Sequence, residues 1–213
     1  MIEYDDQLEL FRLISAKIKK NIVCYAFGGN AMMFYGYKTA TKDIDLVFES
    51  KEEREEFIRA IEELGYRKIS PVNIYVKEKL DDAPLMYSRG DERFDIFLGK
   101  VFRTLLTDEM KSNIYAKHDF IEKENTLTVN VLNKEAIILM KSVTDRERDF
   151  DDIRTIAEKE KKLDWSKIAD MAVELHKKGD LWVVLDLEKV ILQLKKEFFI
   201  KKEVLDKLYK AVG

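Results

Sequence analysis

Asp43 and Asp45 stand one residue apart in Asp43-Ile44-Asp45-Leu46-Val47. On a strand alternate side chains share a face, so the two carboxylates project together and Ile44 and Leu46 project the other way. Neighbouring carboxylates repel, and both stay ionised when a cation lies between them. Oxygen donors of this kind suit Mg²⁺, which keeps several waters and takes substrate phosphates as further ligands. Upstream lies Phe27-Gly28-Gly29-Asn30, with 13 residues between Gly29 and Asp43. Paired glycines permit a turn with exposed N–H groups beside a helix start, where a phosphate binds. By itself an Asp-x-Asp triplet is better read as exposed acids at a strand end. The glycine pair at fixed spacing, in a strand–turn–helix–strand context, selects the metal reading and with it nucleotide chemistry.

The surrounding pattern supplies the elements that would hold these groups. Ile22 to Phe27 is an apolar run that reads as a strand covered on both faces. Asn30 to Tyr37 reads as a short helix and Asp43 to Glu49 as the second strand. An amphipathic helix over 5–20 precedes them. A helix capped by Ser50 follows, with Glu53 as the partner of a capping box and Gly65 as its stop. Pro71 to Val76 is a candidate strand. Leu85 to Ser88 and Arg93 to Leu98 form a hairpin turning at Gly90-Asp91. On the second of these strands Arg93, Asp95 and Phe97 share a face. A lone acid there is costly unless that face is an active site or solvent.

Asp108 to Ile114 is a short helix or loop, and Ala116 to Ile121 pairs with Thr126 to Leu132. From Asn133, which caps a helix through Val143, every pattern is helical: 147–160, 165–178, 181–198 and 202–212. The expected fold class is therefore α+β: a mixed β-sheet flanked by helices over 1–132, then a helical bundle over 133–213. Trp165 and Trp182 read as core anchors of that bundle.

Composition sets wider bounds. The chain has 213 residues, 46% hydrophobic and 37% charged, which excludes a disordered chain. With 38 basic and 41 acidic side chains the formal net charge is -3, so nothing pulls the whole surface toward nucleic acid. Cys24 is the single cysteine, which excludes a disulfide framework, and it reads as a buried small hydrophobe. His118 and His176 have no partner pattern that would make a metal site or dyad. No start resembles a signal peptide and no apolar run would span a bilayer, so the expected location is the cytoplasm, with no membrane partner.

Gly28-Gly29-x13-Asp43-x-Asp45, with Asp95 on a later strand, resembles the nucleotidyltransferase superfamily related to DNA polymerase beta. More closely it is similar to the minimal nucleotidyltransferases and the AbiEii-like abortive-infection toxins. The resemblance is strongest over residues 26–48. It implies that Gly28 and Gly29 form the phosphate turn, and that Asp43, Asp45 and Asp95 are the catalytic carboxylates and hold two Mg²⁺ ions, with Mn²⁺ an alternative. Many relatives carry Ser or Thr where this chain has Asn30, whose amide could donate the same hydrogen bond to a phosphate. Thr41 reads as a turn residue, with a phosphate contact as the alternative.

A second match is Lys141, then Arg146-Glu147-Arg148-Asp149 and Asp152-Ile153, similar to a Lys and Arg-x-Lys/Arg-Asp-x-x-Asp-Ile pattern in the toxin-like branch. By chemistry Lys141 and Arg148 suit phosphate or base contacts, and Asp149 and Asp152 share a helix face with Asp145. A solvated charged helix with an Arg148–Asp152 pair is the alternative. The resemblance favours nucleotide binding for Lys141, Arg148 and Asp149.

The implied reaction moves a nucleoside monophosphate from an NTP, ATP or another, to a hydroxyl acceptor and releases pyrophosphate. The acceptor would be a tRNA end, a protein or a small molecule. The rival from another class is a catalytically silent nucleotide-binding module, acting as a regulator or as a toxin–antitoxin component with an antitoxin-like partner. A scaffold without nucleotide is disfavoured, because an acidic triad costs stability when no metal is present.

Overall fold

The structure, a computed structural model, describes residues 1–73, 82–144 and 146–213. The chain divides into two units. The first comprises residues 1–102 and 106–132, and the second residues 103–105 and 133–213.

The first unit opens with β1 (Ile2–Glu3) and α1 (Tyr4–Ser15), followed by β2 (Ile22–Phe27), α2 (Gly28–Phe34), β3 (Ala40–Thr41) and β4 (Asp43–Phe48). Then come α3 (Lys51–Glu63), β5 (Arg67–Ile69), a 3₁₀ turn (Pro71–Asn73), β6 (Leu85–Arg89), β7 (Glu92–Leu98) and β8 (Lys100–Val101). Residues 104–105 form β9 (Thr104–Leu105), and the first unit resumes with α4 (Asp108–Ser112), β10 (Ile114–Phe120) and β11 (Leu127–Leu132). Seven strands make one mixed sheet in the order β10-β11-β2-β4-β7-β6-β5. β4 lies at its centre, antiparallel to β2 and parallel to β7. The 3₁₀ turn replaces the start of the strand expected over 71–76, whose remainder lies outside the described residues.

β4 shows why the central strands sort their side chains. Ile44, Leu46 and Phe48 are fully buried on one face. There Phe48 packs on Phe57 of α3 at 5.1 Å between ring centroids, Phe57 meets Phe94 at 5.4 Å, and Phe94 meets Tyr66 at 5.0 Å. Each such ring contributes about 2–3 kcal/mol by burial. The opposite face carries Asp43 and Asp45, so apolar packing alone fixes which way the acids project. Cys24, also fully buried, sits mid-strand in β2.

Local signals fix the element ends. Ser50 Oγ accepts from the Glu53 amide at 3.2 Å, which is half of the expected capping box. The Glu53 carboxylate turns away and accepts from the Val23 amide at 3.1 Å, tying α3 to β2 instead. α1 ends at Ser15, five residues short of the expected helix, because the chain turns there into the Lys-rich approach to β2.

The second unit packs α5 (Lys134–Ser142), α6 (Glu147–Lys159), α7 (Trp165–Lys177), α8 (Val183–Leu194) and α9 (Lys202–Val212). Asn133 Oδ1 caps α5 through the Ala136 amide at 2.8 Å, and Asp164 caps α7 through the Lys167 amide at 3.0 Å. α8 begins at Val183, so its buried stripe is Val183, Val184, Leu187, Val190, Ile191 and Leu194. Trp182, expected in the core, precedes that stripe and is 55% exposed. Asp180 does the anchoring there: it accepts from Thr104 Oγ1 at 2.7 Å and from the Val183 amide at 3.2 Å. Among the described residues no helix is long and apolar enough to cross a membrane.

Candidate active site

The first unit gathers Gly28, Gly29, Asn30, Asp43, Asp45 and Asp95 at one end of the sheet. β4 and β7 run parallel with Asp43 opposite Arg93 and Asp45 opposite Asp95, while antiparallel β2 brings Phe27 opposite Asp45. The three carboxylates therefore lie on adjacent strands beside the turn that leaves β2.

The glycines are the first residues of α2 rather than a loop ahead of it. Gly28 has φ +73°, and a Cβ there would fall 2.1 Å from Asp45 Oδ2. Both the left-handed backbone and the close approach of the carboxylate demand glycine. A Cβ on Gly29 would fall 2.5 Å from Thr41 Oγ1. Thr41 is buried, and its hydroxyl donates to the Asp43 carbonyl at 3.0 Å, so it steadies the entry to β4.

Asn30 is fully buried. Its Oδ1 accepts from the Asp45 amide at 3.2 Å, which ties the glycine turn to the acidic strand at the residue that carries the carboxylate. That bond orients the side chain, leaving Nδ2 as a buried donor without a partner among the described residues.

Arg93 supplies the main electrostatic feature. Its Nε donates to Asp95 Oδ1 at 2.7 Å and its Nη2 to Asp95 Oδ2 at 3.1 Å, while Nη2 also donates to Asp43 Oδ2. Asp95 is wholly buried and Asp43 and Asp45 nearly so. A forked guanidinium offsets the cost of burying these charges. Three carboxylates suit a hard divalent cation, and the guanidinium stands where such a cation's charge is needed. Among the described residues no three acidic, histidine or cysteine side chains converge on a common point as they stand, because Arg93 fills the space between Asp43 and Asp95. Arg93 was legible on the Asp95 face from strand alternation, but composition gave it no role.

The sequence reading also places Lys141, Arg148 and Asp149 at a nucleotide. The structure puts them in the second unit. Lys141 Nζ is buried and donates to Asp149 Oδ1 and Asp152 Oδ2, each at 2.7 Å. Asp149 also accepts from Thr144 Oγ1 at 2.6 Å and Arg146 Nε at 2.5 Å. Burial alone would push the Asp149 carboxyl up, but the charges of Lys141 and Arg146 outweigh it and hold it well below the usual carboxylate range. Burial alone would push the Lys141 ammonium down, and Asp149 and Asp152 reverse that and raise it. Lys141 thus ties α5 to α6. Arg148 is exposed on α6, and Asp145 lies outside the described residues.

His118 stacks on Phe34 at 4.4 Å. Tyr35 stacks between Tyr37, at 4.8 Å, and Tyr115, at 3.8 Å, so both tyrosines flanking Gly36 are engaged in packing.

No protein-family model matches the chain, and no curated protein matches it in sequence. Similarity appears at the level of solved structures. The crystal structure of ANT(2'')-Ia in complex with adenylyl-2''-tobramycin aligns with a TM-score of 0.49 at 19% identity, over 81% of this chain and 97% of that one. The solution structure of the antibiotic-resistance factor ANT(2'')-Ia aligns with a TM-score of 0.50 at 19% identity, over 81% of this chain and 91% of that one. At this identity the likeness is one of fold: a nucleotidyltransferase-like mixed sheet flanked by helices, followed by C-terminal helices.

Proposed function

We propose that the chain transfers a nucleoside monophosphate from an NTP to a hydroxyl acceptor. The observation that carries this reading is the register of β4 and β7, which sets Asp43, Asp45 and Asp95 side by side next to the Gly28-Gly29 turn. The likeness of fold to ANT(2'')-Ia supports it. In the reaction an acceptor oxygen bonds to the α-phosphorus, the bond from that phosphorus to its bridging oxygen breaks, and pyrophosphate leaves. Positioning and charge carry such a transfer, with little covalent work for the protein.

Asp43, Asp45 and Asp95 are the residues that would hold Mg²⁺, whose charge would offset that of the triphosphate. Asp45 is pinned through its own amide by Asn30, which fixes the distance between turn and carboxylate. Arg93 holds Asp43 and Asp95 in line without ligand. On release it would leave Asp95 able to accept the acceptor's hydroxyl proton. The orphan Asn30 Nδ2 supports a ligand at the turn, because an unpaired buried donor costs about 1–3 kcal/mol. The acceptor we propose is a tRNA end, a protein hydroxyl or a small molecule, and the AbiEii-like assignment with an antitoxin-like partner belongs to the same proposal.

The test is incubation of the protein with each labelled NTP, Mg²⁺ and a cell extract, with pyrophosphate release and product labelling as readouts. Asp43→Asn and Asp45→Asn should abolish both while the far-UV circular dichroism stays native; undiminished turnover in either variant would overturn the reading. The Arg93 bridge favours a second reading, a silent nucleotide-binding module in which the guanidinium never leaves. Saturable NTP binding with no pyrophosphate release under any acceptor condition would select it.

A further inference from the structure

Among the described residues Phe102 is the one non-glycine in the left-handed region, at φ +52°. It is the first of the two residues, Phe102-Arg103, that link β8 to β9. A two-residue turn with positive φ at its first position ordinarily takes glycine there, because a Cβ crowds the neighbouring carbonyl. A bulky side chain in that backbone is strained and persists only where its surroundings over-determine it. What over-determines Phe102 is its ring. The ring is buried and stands edge-on to Phe97, at 5.5 Å between centroids and 73° between planes. Phe97 in turn stands edge-on to Phe27, at 5.5 Å and 64°. Edge-to-face contact fixes the angle of a ring as well as its distance.

The row of rings ends at the site. Strand alternation puts Phe97 on the face of β7 that carries Arg93 and Asp95. Phe27 lies opposite Asp45 in the register of β2 and β4, and it immediately precedes Gly28. Gly28 has no slack toward the acid, since a Cβ there would fall 2.1 Å from Asp45 Oδ2. A shift of the Phe27 ring is therefore passed straight to the gap between turn and carboxylate. We propose that Phe102 is a positioning residue for nucleotidyl transfer: acting through Phe97 and Phe27, its ring holds the Gly28-Gly29 turn at its working distance from Asp45, and the strained backbone is kept for the sake of that ring. This rests on the nucleotidyl-transfer reading. Phe102 itself touches no reacting atom.

The test compares wild type with Phe102→Gly, Phe102→Asn, Phe102→Tyr, Phe97→Leu and the double variant Phe97→Leu/Phe102→Gly. Pyrophosphate release is measured per folded molecule, well below each melting temperature, and split into kcat and KM for the NTP. Glycine and asparagine relieve the backbone and remove the ring, so they should lower kcat by about tenfold to a hundredfold and change KM less, as a misplaced reacting group does. Phe102→Tyr keeps the ring and should retain most of the activity. Phe97→Leu interrupts the row with Phe102 intact, so it should reproduce the loss, and the double variant should lose little more, because the rings act as one unit. Unchanged kcat per folded molecule in Phe102→Gly and Phe102→Asn would mean that the ring only fills space, and the assignment falls while wild-type turnover keeps the transfer reading. Losses that multiply in the double variant would also overturn it. If wild type releases no pyrophosphate with any acceptor, the transfer reading falls and takes this assignment with it.

Discussion

Arg93 between Asp43 and Asp95, and Lys141 between Asp149 and Asp152, are built to the same plan of one cation and two aspartates. They differ in what surrounds them. The Lys141 side chain is 4% exposed and its cluster is closed by Thr144 and Arg146. The Arg93 side chain is 17% exposed, and Asp45, two residues on from the Asp43 it reaches, lies against a glycine turn with no side chains of its own. A cluster with so buried a cation holds two helices together. A cluster with one open side can exchange its cation for another. Sequence spacing alone makes the two look alike, and the burial of the cation tells them apart.

Removing each cation breaks the comparison most directly. Lys141→Met leaves two carboxylates buried without their partner and should cost about 3–5 kcal/mol, read from urea unfolding. Arg93→Gln removes a side chain that is 17% exposed and keeps an amide donor for one of the two carboxylates, so it should cost less, about 1.5–3 kcal/mol. Millimolar Mg²⁺ should raise the melting temperature of Arg93→Gln and leave that of Lys141→Met where it was. Equal responses to Mg²⁺ would erase the distinction between the clusters.

Gly28→Ala tests the open side itself. A methyl group 2.1 Å from Asp45 Oδ2, on a residue at φ +73°, should destabilise by about 1–3 kcal/mol and displace the carboxylate. NTP turnover should fall further than stability does, whereas Gly179→Ala in the second unit, where a Cβ meets nothing within 4 Å, should cost only backbone strain.

The smallest effect is in pH dependence. Asp149 is held below its ordinary value, so its contribution is present above the unfolded carboxyl pKa near ~4 and is lost as pH falls below it. Lys141 is raised, so its contribution is present below ~10.4 and is lost as pH rises through the folded value. Unfolding free energy measured from pH 6 down to pH 3 should therefore decline in wild type, and decline less steeply in Lys141→Met.

The sequence carried the sheet well where local chemistry decides. β2, β4 and the β6–β7 hairpin were legible because apolar runs and Gly90-Asp91 punctuate them. The glycine turn and the three acids were legible as types at a spacing, and β-strand alternation placed Arg93 on the Asp95 face. What local pattern could not give was partnership. Glu53 satisfies a capping-box pattern yet bonds across to Val23, Asn30 offers a donor yet uses its acceptor, and Lys141 looks like a phosphate ligand yet faces two acids on the next helix. Each depends on a residue outside the local pattern, and short β1 and β3 pair across a longer stretch still with no periodicity to reveal them.

Cys24 gives this chain a built-in probe. Its thiol lies fully buried in β2, one strand from the acids, and burial pushes its pKa far up, so a thiol reagent cannot reach a reactive thiolate in the closed sheet. Labelling of this single cysteine then times the opening of the strand that feeds the glycine turn. The protection that MgATP confers on Cys24 would report how firmly a nucleotide fastens the turn to the sheet, with no residue changed.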